Sequence, residues 1–159
     1  MLSCRPVQSS DLPIICSFPQ TAQELFFMFP KAVYPLTVDQ LSQAISERFD
    51  STVLIAGTDV VGFANYHKCE PGMSCSIGNV IVSPIVRGKG AGRYLVQTMM
   101  AIARDRYHAN QVEISCFNQN QTALLLYSKL GFNPYAIEER QDPDGNRVAL
   151  IHMRYEWKG

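Results

Sequence analysis

The chain has 159 residues, a formal net charge of zero, 47% apolar residues and 18% charged ones. That length sets about one domain, expected over residues 1–159, large enough to bury roughly two-thirds of its unfolded surface without a metal or disulfide staple. The balanced charge argues against a dedicated nucleic-acid binder, and no apolar run approaches the ~18 residues of a membrane span.

In chain order, "MLSCRPVQSSDLPIICSF" lacks the basic and apolar regions of a secretory signal. The cysteines are Cys4, Cys16, Cys69, Cys75 and Cys116, an odd number with no Cys-x-x-Cys pair. Reduced thiols in a cytoplasmic protein are the expectation. His67, Cys69 and Cys75 read as strand residues with incidental polar atoms, and no metal is expected. Residues 2–7 read as a first strand and Asp11–Phe18 as a short helical turn. "TAQELFFMF" opens on a capping box, Thr21 with Glu24, and Pro30 stops that helix early. "TVDQLSQAISERF" repeats the device with Thr37 and Gln40, and Val38, Leu41, Ala44 and Ile45 keep helical spacing.

The period then changes. "STVLIAG" and "VVGFANYH" are β-branched and aromatic, with a turn at Thr58-Asp59, and "SCSIGNVIV" follows the turn "PGM". Residues 91–106 read as a helix with Ala91, Leu95, Met99 and Ile102 on one stripe. "QVEISCF" is a strand, and Thr122–Leu130 a helix closed by Gly131. "PYAIEERQ" and "RVALIHMRY" flank the turn-rich "DPDGN" as a hairpin. The order β-α-α-β-β-β-α-β-α-β-β predicts an α/β (α+β) fold, a mixed sheet with helices on its faces.

"SPIVRGKGAGRYL", 83–95, opens a helix with its poorest formers. The first N–H groups of a helix lack partners and carry the positive end of its dipole. No Ser, Thr, Asp or Asn stands between Ile85 and Tyr94 to cap them. Gly88, Gly90 and Gly92 leave those donors uncovered, as a phosphate site requires. Arg87, Lys89 and Arg93 add charge, and no Asp or Glu occurs from Pro71 to Arg104. Two nucleotide fingerprints fail on residues. Arg93 stands where Gly-x-Gly-x-x-Gly needs its third glycine, and Gly90 follows Lys89 where a P-loop needs Ser or Thr.

Arg87, Gly90 and Gly92 match Arg/Gln-x-x-Gly-x-Gly/Ala, so the segment resembles the signature of the GNAT superfamily of acyl-CoA-dependent N-acetyltransferases. A second stretch, "NQNQTALLLYSKLGF", resembles the family's Asn-x-x-Ala-x-x-Leu-Tyr-x-x-x-Gly-Phe through Asn120, Ala123, Leu126, Tyr127, Gly131 and Phe132. The resemblance covers residues 50–135 well and the N-terminal third only in layout. It implies a GNAT fold: a mostly antiparallel sheet of about seven strands with about four helices on its faces.

The resemblance further implies that acetyl-CoA is the acyl donor, its pyrophosphate held by Arg87, Gly88, Lys89, Gly90, Ala91, Gly92 and Arg93. Val80, Ile81 and Val82 would lie beside the pantetheine arm, with the Val82 N–H polarising the thioester carbonyl. Asn120 is a helix N-cap candidate or an amide facing the cofactor. Tyr127 would be the general acid that protonates the departing thiolate. A primary amine, on a small molecule or peptide, would attack directly in a ternary complex, with no membrane or nucleic acid involved; a homodimer is compatible with this. A lysine-type amine costs about 4.6 kcal/mol to deprotonate at pH 7. Many family members place a Glu on the strand before the glycine turn, yet Met73–Val82 has no carboxylate. Glu113, His67, Glu70 or ordered water remain candidates for the base. A CoA-binding sensor or interaction module without catalysis is the rival reading. Phe27 and Tyr34 are candidates to line the acceptor pocket.

Overall fold

In a computed structural model that describes residues 1–158, the chain forms seven strands and five α-helices. The strands are β1 (Leu2–Pro6), β2 (Phe49–Ala56), β3 (Asp59–Glu70), β4 (Ser74–Val82), β5 (Gln111–Phe117), β6 (Asn133–Gln141) and β7 (Arg147–Glu156). The helices are α1 (Leu12–Cys16), α2 (Ala22–Met28), α3 (Val38–Glu47), α4 (Ala91–Tyr107) and α5 (Gln121–Lys129). The expected helical turn near residue 11 is a 3-10 turn running into α1, which makes the fifth helix. The turn before β3 sits at Gly57-Thr58, one residue earlier than expected, where Gly57 takes a φ of 64°.

The sheet runs β1-β2-β3-β4-β5-β7-β6 and is antiparallel except for β4 with β5. A parallel pair needs a crossover connection, and α4 supplies it. The stripe on α4 is as expected: Ala91, Leu95 and Met99 are buried beside Tyr66, Ile77, Val112 and Ile114. The Tyr66 hydroxyl donates to the Met99 carbonyl, tying sheet to helix. On the opposite face α1, α2 and α3 cover Val53, Phe63 and Ile81 with Ile15, Leu25 and Leu41.

Both threonine caps form, but neither is a full capping box. Thr21 Oγ1 accepts from the Glu24 N–H at 3.1 Å, and Thr37 Oγ1 from the Gln40 N–H at 3.3 Å. Gln40 instead bonds Val33 and Pro35, holding the loop before α3. Glu24 reaches the Gln20 N–H, and its second partner, Arg87, matters for the site.

The first strand is locked to α1 by Arg5 and the buried Asp11, paired at 2.7 and 2.9 Å. The Arg5 hydrogen bonds hold the Asp11 carboxyl below its ordinary range, and the Gln8 N–H adds to them. A depressed folded pKa contributes stability above the unfolded value of ~3.9 and loses it as pH falls through the folded one. Asp11→Asn should therefore lower the urea midpoint at pH 7, and the gap to wild type should close as pH falls below ~3.9.

Candidate active site at the fork of β4 and β5

β4 and β5 pair only from Ser74↔Gln111 to Ile77↔Ile114, then part. The cause lies in β4. Asn79 has a φ of 52°, a left-handed conformation that Asn tolerates better than most residues. Buried Asn79 is fixed from both sides: its Nδ2 donates to the Met28 carbonyl and its Oδ1 accepts from Asn65 Nδ2, each at 3.0 Å. β3 shifts register opposite, between Phe63 and Asn65. The resulting kink turns Val80–Val82 away from β5 and opens a cleft of about 720 Å³.

One wall of the cleft is the Val80–Val82 backbone. The Ser83 N–H donates to the Val61 carbonyl on β3 at 2.7 Å. Strand groups alternate in direction, so the Val82 N–H and carbonyl face the cleft side. The facing wall is α5, with Asn120, Ala123, Leu126 and Tyr127. Asn120 caps it, its Oδ1 accepting from the Ala123 N–H at 3.3 Å. That leaves its side-chain Nδ2 as a donor at the cleft wall.

The glycine turn closes the mouth. Gly88 and Gly90 have φ of 76° and 82°, so only glycine sits there without strain. The first bond into α4 runs from the Tyr94 N–H to the Gly90 carbonyl. The N–H groups of Gly88, Gly90, Ala91, Gly92 and Arg93 have no acceptor among the described residues. Arg93 lines the cleft, and its guanidinium has no ion-pair partner among the described residues.

Two of the expected phosphate ligands stand differently. Arg87 lines the cleft with the other expected residues, but its guanidinium is engaged within the protein. Its guanidinium binds Glu24 at 2.8 Å and the Val82 and Phe18 carbonyls at 3.3 Å, so it braces the turn against α2. Burial acts to raise the Glu24 pKa, but the Arg87 and Gln20 bonds outweigh it and hold the carboxyl below its usual range. Lys89 is not on the cleft wall, and its N–H is spent on the Val86 carbonyl at 3.3 Å. The other residues expected at the cofactor, Val80, Ile81, Val82, Gly88, Gly90, Ala91, Gly92, Arg93, Asn120 and Tyr127, are brought together.

Tyr127 lines the cleft, 5% exposed, its ring packed near Phe132 with centroids 6.1 Å apart. Its hydroxyl bonds no other described residue. No buried side-chain polar atom among them lacks a partner, so this hydroxyl is open to the cleft. Burial, with Cys116 nearby, pushes its pKa up. The phenol therefore keeps its proton at neutral pH.

Sequence reading missed Glu24, Met28, Val86 and Thr122 as wall residues, and Phe27 lines the cleft as its candidacy required. Glu24 carried a signal, but a capping box explained it. Tyr34 bonds the Gln20 carbonyl and is outside the cleft wall. None of the candidate bases lines the cleft. Glu113 accepts from Tyr135 and Ser76, Glu70 pairs with Lys68 at 3.0 Å, and His67 packs by Gly78. A hollow of about 780 Å³ beside β6 and β7 is lined by Tyr135, Arg154 and Trp157 and holds none of the free glycine-turn donors.

A mixed sheet forked at its parallel pair, with uncovered helix N–H groups at the mouth, defines an anion-binding α/β protein. The family is established by comparison: the Acetyltransferase (GNAT) family profile matches residues 18–132, and the chain belongs to that family. The fold is shared with solved structures. Spermidine N-acetyltransferase from Vibrio cholerae, in complex with CoA and spermine, is 17% identical, with 98% of this chain and 95% of that one covered and a TM-score of 0.82. The ribosomal-protein-S18-alanine N-acetyltransferase from Escherichia coli is 21% identical, with 100% and 97% covered and a TM-score of 0.77. The ribosomal-protein-alanine N-acetyltransferase from Brucella melitensis is 20% identical, with 98% and 99% covered and a TM-score of 0.77. Among the described residues no helix is long and apolar enough to cross a membrane.

Proposed function

We propose that the protein transfers an acetyl group from acetyl-CoA to a primary amine by direct attack. The carrying observation is a row of five uncommitted N–H groups in a cleft whose wall also holds an unpartnered tyrosine hydroxyl. Phosphate oxygens suit those donors, which the helix dipole and Arg93 reinforce. The pantetheine amides take the place of β5 along Val80–Val82, pairing with backbone groups that lost their strand partner at the fork. The Val82 N–H faces the thioester carbonyl and stabilises the developing oxyanion. Asn120 Nδ2 donates to the arm. When the tetrahedral adduct collapses, the carbon–sulfur bond breaks and Tyr127 gives its proton to the thiolate. The Vibrio cholerae spermidine N-acetyltransferase of the same fold was solved in complex with CoA, which supports this reading.

A module that binds CoA without turnover is the second reading, kept by the carboxylate-free run Ser74–Val82. One pair of measurements separates them. CoA should raise the melting temperature where ATP and NAD do not. Thiol release from acetyl-CoA should appear with at least one member of an amine panel holding spermidine, free amino acids and alanine-ended peptides. A CoA shift with no thiol release would establish the module instead.

A further inference from the structure

The acceptor amine needs a proton sink, and β4 offers none. One lies across the fork. Ile114 is the last β5 residue paired with β4, so Ser115 is the first beyond the parting, on the strand opposite Gly78. Its side chain shares a face with Phe117 two residues on. Phe117 stacks on Phe26 at 4.3 Å and neighbours the cleft residue Phe27 at 6.3 Å. Ser115 is thus exposed on the α2 face of the sheet, outside the cleft wall itself but two residues from Phe117, whose ring neighbour Phe27 lines the cleft.

Ser115 is not alone. Its Oγ lies 2.7 Å from His152 Nδ1, its register partner on β7. His152 Nε2 lies 3.1 Å from Glu138 Oε1 on β6. Glu138 Oε2 in turn accepts from Arg140 Nε at 2.5 Å. These contacts fix the polarity of the chain. A carboxylate only accepts, so Nε2 carries the proton toward Glu138 and Nδ1 is left to accept from the Ser115 hydroxyl.

Resting on the transferase reading, we infer that Ser115, His152 and Glu138 form the proton relay that deprotonates the acceptor amine. The ammonium gives a proton to Ser115 Oγ as the Ser115 proton passes to His152 Nδ1. The amine lone pair then attacks the thioester carbon. Its second proton balances the one Tyr127 gives to the CoA thiolate. His152, now an imidazolium held by Glu138, returns its proton to water. The products are an amide, free CoA thiol and one released proton. Ser115 is the group that touches the amine, and Glu138 is a positioning residue that fixes the imidazole tautomer.

The charges around His152 are mixed. Glu138 and Arg140 face it from β6, where the Tyr135 ring also lies 6.1 Å away. Arg154 is two residues on along β7, Glu113 is two before Ser115 on β5, and His67 on β3 senses the His152 charge. Arg140 holds the Glu138 carboxyl below its usual range, and His152 adds to that, so it stays ionised through neutral pH.

The test uses the full chain with saturating acetyl-CoA, single-turnover rates and a pH series. Two probes are compared: the fastest alkylamine of the panel, and hydroxylamine, which is already neutral at pH 7 and needs no base. His152→Gln and Ser115→Ala should each lower the alkylamine rate at pH 7 about 100-fold and regain rate as pH rises. Hydroxylamine rates and CoA affinity should stay within about threefold of wild type, as the step concerned is proton removal alone. Glu138→Gln should move the acid limb of the profile to a different pH, a change that a merely structural role would not produce. An alkylamine rate and acid limb unchanged in His152→Gln would overturn the relay, as would equal losses with both probes. Wild-type protein inert toward every amine would overturn the transferase reading itself, and the relay with it.

Discussion

Gly92→Glu is expected to weaken CoA binding about a thousandfold while the protein melts no lower than wild type. Gly92 is the second residue of α4, and a Cβ built there meets only Leu126 Cδ2, at an ordinary 3.4 Å. Its φ is not among the positive ones, so a side chain brings no backbone strain. Replacing glycine inside a helix gains up to about 1 kcal/mol, and a carboxylate in the first turn gains about 0.3–1 more. That same carboxylate sits over the free N–H groups of the glycine turn. It satisfies the free donors and, on the proposed function, repels the pyrophosphate. Two like charges about 4 Å apart at an effective dielectric of about 20 oppose each other by about 4 kcal/mol, close to a thousandfold in affinity. Gly90→Glu is the less clean choice, since a φ of 82° would add strain of about 1–2 kcal/mol to the charge effect. Isothermal titration with CoA, beside a melting curve, checks both halves. Unchanged affinity would remove the pyrophosphate from the glycine turn.

The parts of this site that were legible in the sequence are those written in local spacing. Three glycines at every second position, with no capping residue and no carboxylate nearby in sequence, mark the turn whose N–H groups stand free in the structure. Asn120 and Tyr127 lie on one helix, so their separation also fixes their geometry. What was not legible depends on contacts far apart in the chain. Arg87 lines the cleft as expected, but its ion pair with Glu24, a long way off in sequence, could not be read from the glycine turn alone. Glu24 itself was absorbed by a capping reading that the structure grants only in half. The fork has a sequence cause in Asn79, but an Asn inside "SCSIGNVIV" is visible as a kink only once Met28 and Asn65 are seen to hold it.

The Ser115–His152–Glu138 chain is the furthest case. Read in order, β5, β6 and β7 suggest a strand and a separate hairpin. β7 in fact inserts between β5 and β6. That placement sets Ser115 opposite His152 and brings Glu138, two residues from His152's β6 partner Ala136, within reach of the ring on the diagonal. No window of sequence contains the three together, and only the pairing register Ser115↔His152 and Ala136↔His152 brings them there. The missing strand carboxylate and these three residues are therefore two sides of one observation. On the proposed reading, a site without a carboxylate on β4 would draw on Ser115 of β5 at the fork, backed by His152 of β7 and Glu138 of β6.

Tyr127→Phe is expected to lower the transfer rate by roughly 10²–10⁴-fold while leaving CoA affinity and stability nearly unchanged. The variant keeps the ring that packs against Phe132 and loses only a hydroxyl with no partner among the described residues. No buried acceptor is orphaned, so the stability cost stays small. The chemistry is where the loss falls. A thiolate leaving inside the cleft has shed its water, and desolvation raises its proton affinity above the ~8.5 of a free thiol. The same burial raises the phenol, so the two groups rise together and the proton transfer stays near balance. An acid whose pKa is raised also stays protonated as pH increases. The wild-type rate should therefore still hold at pH 10, where an ordinary phenol of pKa ~10 would be about half ionised. Thiol release across a pH series, with CoA affinity measured in parallel, separates the outcomes. A wild-type rate in Tyr127→Phe would hand the acid role to water. A matched loss of rate and affinity would make Tyr127 a wall of the cleft and nothing more.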